Sequence, residues 1–359
     1  MTKKLSFLAL FVATAMLCAA PALSVKNAFL PDAGFALSMN IEALNKSFLG
    51  EYVNHDALKE FAKFAEFEFN PNDPSQAMFK ALLEKSTITV VTAITVPEMF
   101  EINDKPEAAA QKAMACIQLP QPLGPMVDTA VVALTNIKEE GVTVVPNIIN
   151  ECKGVLVTKE DGTRLALNFS ADGRLLFVGL PELLKKQLTD EAAAAAPAKL
   201  VDANASGLPG AFVSLSILVT ETLKAAISAE SPESAAFAST VETLNLSAAP
   251  AGGDAVNLKL AGNFITPEIA GSVKSMADEY VPQVKAMAPV LANGQEVPFL
   301  DTLNAIQNGN AVSLSCTLIQ KDIEIIGQVA KAAFMSAAVD NDDDADDDDD
   351  DDGVEVEEL

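Results

Sequence analysis

The chain has one histidine, no tryptophan, two tyrosines and, among 24 basic residues, only two arginines, Arg164 and Arg174. Each shortage removes a class of chemistry. A single imidazole cannot build an H-E-x-x-H zinc site or a multi-histidine metal centre, and His55, in Asn54-His55-Asp56, reads as a helix cap or surface residue. Nucleic acid needs clustered cations to displace counter-ions, with aromatics to stack on single strands. A chain with two arginines and a formal net charge of −26 is built the opposite way, so nucleic acid is not an expected partner. No serine stands in a G-x-S-x-G or S-x-x-K frame, and there is no G-x-G-x-x-G or Walker loop. Asp128-Thr129-Ala130 and Asp301-Thr302-Leu303 lack the glycine of an aspartic-protease turn, and the near absence of Trp and Tyr disfavours a sugar-stacking cleft. A carboxylate-pair hydrolase therefore ranks third among the functional expectations.

Long apolar runs are also scarce, and the one that opens the chain is informative. Lys3 and Lys4 precede Leu5 to Leu17, followed by small residues at Ala20, Ala22 and Ser24. That order is a secretory signal peptide, residues 1–24, with cleavage near Ser24. Its apolar run of about 13 residues falls short of the roughly 20 that span a bilayer. Later apolar stretches are interrupted by Lys, Glu, Pro or Ser, so no transmembrane segment is expected. Leu17 stands before Cys18 where a lipoprotein-type site needs a small residue, which places Cys18 in the discarded leader. Three cysteines remain, Cys116, Cys152 and Cys316, and an odd number leaves at least one thiol unpaired. An oxidising compartment allows a Cys116–Cys152 bridge, whose geometry the sequence leaves open. Cys316 shares the apolar face of an alternating strand with Val312, Leu314 and Leu318 and reads as a buried small hydrophobe.

What is present in excess is acid. Residues 340–359 hold eleven Asp and three Glu with no Lys or Arg, and without this tail and the leader lysines the body still has 36 acidic against 22 basic residues. Such a run cannot bury apolar area and is expected to be disordered over 339–359. Asp342, Asp343, Asp344, Asp346, Asp347, Asp348, Asp349, Asp350, Asp351 and Asp352 are the candidate metal ligands. They would gather Ca²⁺ weakly and diffusely, because calcium takes six to eight oxygens and the run supplies no rigid cage. Asp340-Asn341-Asp342-Asp343-Asp344-Ala345 imitates an EF-hand start, but Ala345 stands where the turn needs Gly. In composition the tail resembles the C-terminal Asp run of the calsequestrins; the body carries no thioredoxin-like repeat.

Between leader and tail, two segments begin alike. Leu30-Pro31 and Leu208-Pro209 each lead through small residues and a Phe into an alternating strand, with Leu37, Met39 and Ile41 sharing one face and Val213, Leu215 and Ile217 the other segment's. Helices follow near 42–66 and 74–85, and near 218–240. Next come strands at Thr87 to Thr95 and Met99 to Ile102, answered by a hairpin that turns at Gly252-Gly253-Asp254. Pro106-Glu107 and Thr266-Pro267-Glu268 then open helices. The first half adds a meander, Val142 to Val178, turning at Asp161-Gly162 and Asp172-Gly173, and a helix from Pro181. A last helix, Lys321 to Ala338, carries Ile326, Val329, Ala330, Ala333 and Phe334 as a core stripe.

The expected fold is α+β: two related lobes of order β-α-α-β-β-α-α-β-α with antiparallel sheets, residues 25–190 and 208–338, joined by an Ala/Pro linker at 191–207. The expected function is an exported, non-catalytic bacterial binding or structural component of the periplasm or cell exterior. Its partner would be a protein, peptide or lipid, and a low-affinity Ca²⁺ buffer is the alternative.

Overall fold

The computed structural model describes residues 23–47, 72, 74–93, 111–137, 140–230, 232–291, 296–322 and 325. The leader up to Ala22, His55, the expected strand at Met99 to Ile102, the helix at Pro106, most of the last helix and the whole acidic tail lie outside the described residues.

Twelve strands form one antiparallel sheet: β1 (Phe35–Asn40), β2 (Thr87–Thr92), β3 (Ala113–Gln118), β4 (Val142–Ile149), β5 (Cys152–Lys159), β6 (Arg164–Phe169), β7 (Leu175–Gly179), β8 (Val213–Leu218), β9 (Val241–Gly252), β10 (Ala255–Phe264), β11 (Asn304–Asn308) and β12 (Ala311–Ile319). Their order across the sheet is β11-β12-β10-β9-β8-β1-β2-β3-β7-β6-β5-β4. The halves therefore share a sheet where separate sheets were expected. The seam is β1 against β8, in register from Phe35 opposite Ile217 to Met39 opposite Val213. Outward from β1 the order runs β1-β2-β3-β7-β6, and outward from β8 it runs β8-β9-β10-β12-β11.

Among the described residues the helices are α1 (Ile41–Asn45), α2 (Pro74–Leu83), α3 (Val127–Thr135), α4 (Pro181–Gln187), α5 (Asp190–Ala195), α6 (Ala198–Ala205), α7 (Glu221–Glu230), α8 (Pro232–Ala238), α9 (Pro267–Leu291) and α10 (Phe299–Thr302). Local chemistry sets their starts. The Asn40 side chain accepts the Ala43 N–H at 2.9 Å to cap α1, and proline opens α4 and α9, where its missing N–H costs no helical bond. The 191–207 stretch, expected as a linker, is helical and packed. Alanine is the strongest helix former, Thr189 caps α5, and α6 buries Leu200 and Ala203.

The first half of the sheet is covered on both faces. On one, α2 and α3 pack Phe79 and Leu134 against Ile117, Val155 and Phe169, and the Phe79 and Phe169 rings meet edge to face at 6.1 Å. On the other, a 3₁₀ turn (Val25–Ala28) and α4–α6 bring Phe29, Leu184, Leu188 and Leu200 onto Met114, Cys116 and Phe177. Among the described residues no helix is long and apolar enough to cross a membrane.

Candidate functional site

The middle of the sheet inverts the usual arrangement of polar and apolar residues. Strand β8 reads Val-Ser-Leu-Ser-Ile-Leu, and its serines are the buried members: Ser214 and Ser216 lie under α6 while Leu215 is only half-buried. In β9 Thr243, Asn245 and Ser247 are buried, whereas Leu246 is 44% exposed. Buried polar groups must be hydrogen-bonded, and most of these are. Asn245 Nδ2 donates to Ser214 Oγ and Ser216 Oγ, each at 2.9 Å, and Ser247 Oγ accepts the Leu208 N–H at 3.1 Å. Ser38 Oγ bonds Thr89 Oγ1 at 3.0 Å and donates to Asn204 Oδ1 at 3.2 Å, which ties α6 to the seam.

The opposite face is a leucine row. Leu314, Leu260, Leu246, Leu215, Leu37 and Val90 are successive cross-strand partners on β12, β10, β9, β8, β1 and β2. Leu260 is 45% exposed. Helix α9 stands on this same face, because its Ala270 packs with Val312 and Phe264. One side of α9 faces the edge strand: Gln307 Nε2 donates to Pro267 O at 3.0 Å, and Gly271 lies beside the Gln307 amide. At 100° per residue the opposite side carries Met276, Tyr280, Val284 and Met287, all exposed. That exposed side and the leucine row belong to the same face of the sheet. Exposed apolar side chains grouped in this way are of the kind that marks a partner or ligand site.

A second concavity lies on the serine face of the first half. A cleft of about 480 Å³ is lined by Leu30, Asp32, Lys112, Leu183, Lys186, Gln187, Glu191 and Ala192 among others. Asn27 fixes its wall, donating from Nδ2 to Gln187 O and Thr189 O at 2.8 Å each while its Oδ1 accepts the Ser24 N–H at 2.9 Å.

No family model, curated protein or solved structure matches this chain. The fold and these two surfaces are what bear on function.

The carboxylates considered from sequence do not converge. Asp128 sits in the first turn of α3, paired with Lys153 at 2.7 Å, and Asp301 sits in α10 beside β12, far along the sheet order. Among the described residues no group of three or more His, Cys, Asp or Glu could hold a metal ion; the tail candidates Asp342 to Asp352 fall outside them. Neither surface carries a sequence signal that marks it. The leucines alternate as expected, but alternation does not say which face is covered, and the cleft residues come from four separate stretches without a motif.

Cys116, Cys152 and Cys316 are free. Cys116 on β3 and Cys152 on β5 are separated by β7 and β6, three strand spacings or about 14 Å, far beyond the 4.4–6.8 Å that a disulfide spans between Cα atoms. The Cys116–Cys152 bridge is thus ruled out. Burial pushes the Cys116 thiol well up, and burial together with the Glu151 carboxylate pushes Cys152 up to about 11. Cys316, half-buried and not fully buried as expected, is raised by burial and by Asp322. A raised thiol pKa favours the neutral form in the fold. Its stability contribution is complete below the ordinary value near 9 and is lost as pH climbs through 11. A thiol-reactive disulfide reagent at pH 8 should therefore modify Cys316 slowly in the folded protein, and Cys116 and Cys152 only in denaturant. Fast reaction of all three without denaturant would contradict this placement.

Proposed function

We propose that the chain is an exported, non-catalytic binding protein that engages an apolar ligand or partner segment through the leucine row and the exposed side of α9. The observation that carries this reading is the inversion in β8 and β9, where serine hydroxyls and the Asn245 amide nitrogen are buried and bonded while leucines are partly exposed. Burying polar groups costs free energy unless they are paired, so an arrangement that places them inside has a use for leucines outside. The matching strand orders on either side of the β1–β8 seam favour an ancient duplication, in which the second copy gives the exposed leucines of its partly covered face to binding. Export fits the packing of the amino-terminal turn: Ala28, Phe29 and Leu30 are buried beyond the processing site near Ser24, so processing would keep them and remove only Leu23 from the edge of that cluster. The eleven-Asp tail supports weak Ca²⁺ uptake as a second reading, on composition alone.

The test is the double variant Leu246→Lys/Leu260→Lys. Both positions are over 40% exposed, so the melting temperature should hardly move, exposed substitutions costing about 0.5 kcal/mol or less. Fluorescence enhancement of Nile red, an uncharged apolar probe, should fall several-fold relative to the parent chain. Undiminished enhancement would remove the leucine row from the site.

A further inference from the structure

We propose that residues 326–338 of this same chain close over the leucine row as an amphipathic helix, so that a ligand must displace them to bind. Taking the row as the ligand site proposed above, this segment is the cover that sets how readily the site opens. Its sequence suits the role. From Ile326 to Ala338 the single charged residue is Lys331, and the acidic run begins only at Asp340. Ile326, Val329, Ala330, Ala333 and Phe334 recur at i, i+3, i+4, i+7 and i+8, which places them on one side of a helix. A helix of this length draws its stability from packing such a side against an apolar surface.

The chain leaves the sheet on the right face and within reach. Leu314, Cys316 and Leu318 of β12 alternate onto the row's face, where Leu318 is buried, whereas Ile319 on the reverse face is exposed. Residues 320–322 are helical and Ile325 is buried. This exit is fastened to elements of the row's own side. The buried Asp322 carboxylate accepts the Ile319 N–H at 2.9 Å and the Phe299 N–H of α10 at 3.2 Å, and Lys285 of α9 donates to Asp301 O of α10 at 3.5 Å. Leu314 stands five residues before Ile319, the end of β12, or about 17 Å at 3.4 Å per residue. A helix over 320–338 is about 28 Å long, so its 326–338 part reaches the row.

The experiment reads the row in the full chain. Leu246→Cys places a thiol on it, and Ile306→Cys places one on the reverse face, since Ile306 pairs with Ser313 and Ser313 with Ala261 beside Asn245. Alkylation of each by iodoacetamide is followed by peptide mass mapping, with and without Val329→Asp/Phe334→Asp. Those two changes should speed the thiol at position 246 several-fold, leave the one at 306 unchanged, and raise Nile red enhancement several-fold. An unchanged rate at 246 would overturn the cover, whatever Nile red does. A raised rate at 246 with no Nile red response in either chain supports the cover and removes the row as a ligand site. If both thiols speed up together the fold has been lost, and Phe334→Ser alone then decides by the same comparison.

Discussion

Gly154→Ala should abolish the native fold or come close to it, although the change is one methyl group. Gly154 lies in β5 opposite Asn168 of β6, and a Cβ there would stand 1.9 Å from the Leu167 carbonyl oxygen and 2.7 Å from Asn168 Cα. Both obstacles are backbone, so no rotamer change relieves them. The strands must separate, which breaks the β5–β6 ladder, the 2.8 Å bond from Asn168 Nδ2 to Cys152 O and the packing of Val155 on Leu167. Losses above about 4 kcal/mol are reserved for such cases, against a total stability of roughly 5–15 kcal/mol. Gly162→Ala is the control. Gly162 has φ of +86° but nothing within 4 Å of an added Cβ, so only the left-handed backbone is strained, at about 1–2 kcal/mol. Urea denaturation should separate the two clearly. Equal midpoints would mean that β5 and β6 do not approach as described.

Much of this architecture is legible in the sequence where turn chemistry is strong. Asp161-Gly162 and Asp172-Gly173 mark the turns of the β5–β6–β7 meander, with both glycines at positive φ, and Gly252-Gly253-Asp254 marks the β9–β10 hairpin. Where that chemistry is weak, elements are missed. Strand β3, Ala-Met-Ala-Cys-Ile-Gln, is a short apolar run that periodicity cannot assign to strand or helix. Edge strand β11, Asn-Ala-Ile-Gln-Asn, has almost no apolar alternation. Helix α3 reads Val-Asp-Thr-Ala-Val-Val-Ala-Leu-Thr, rich in β-branched residues that favour strands. It is helical because Val127, Ala130 and Leu134 fall at helical spacing onto the sheet. The poly-alanine stretch reads as a linker because composition hides the burial of Leu200 and Ala203 that seats α6.

The two faces of the sheet should also differ sharply in what they cost to disturb. Phe177→Ala removes a side chain with no exposed surface from a cluster that joins β3, α4, α6 and the amino-terminal turn. A fully buried Phe→Ala change costs about 3–5 kcal/mol through lost transfer energy and the residual cavity. Here it would loosen Leu184 and Leu200 together, so the thermal transition should shift downward by a large margin. Leu246→Ser, on the opposite face and 44% exposed, removes a comparably apolar group that the fold uses little, and its cost should stay near 0.5 kcal/mol. The comparison decides which face the chain treats as its interior. Should Leu246→Ser prove as damaging as Phe177→Ala, the leucine row is a core that another segment of this chain closes, and the binding surface must be sought elsewhere. Should it prove harmless, those leucines are carried at no benefit to stability, and a partner or ligand is what remains to account for them.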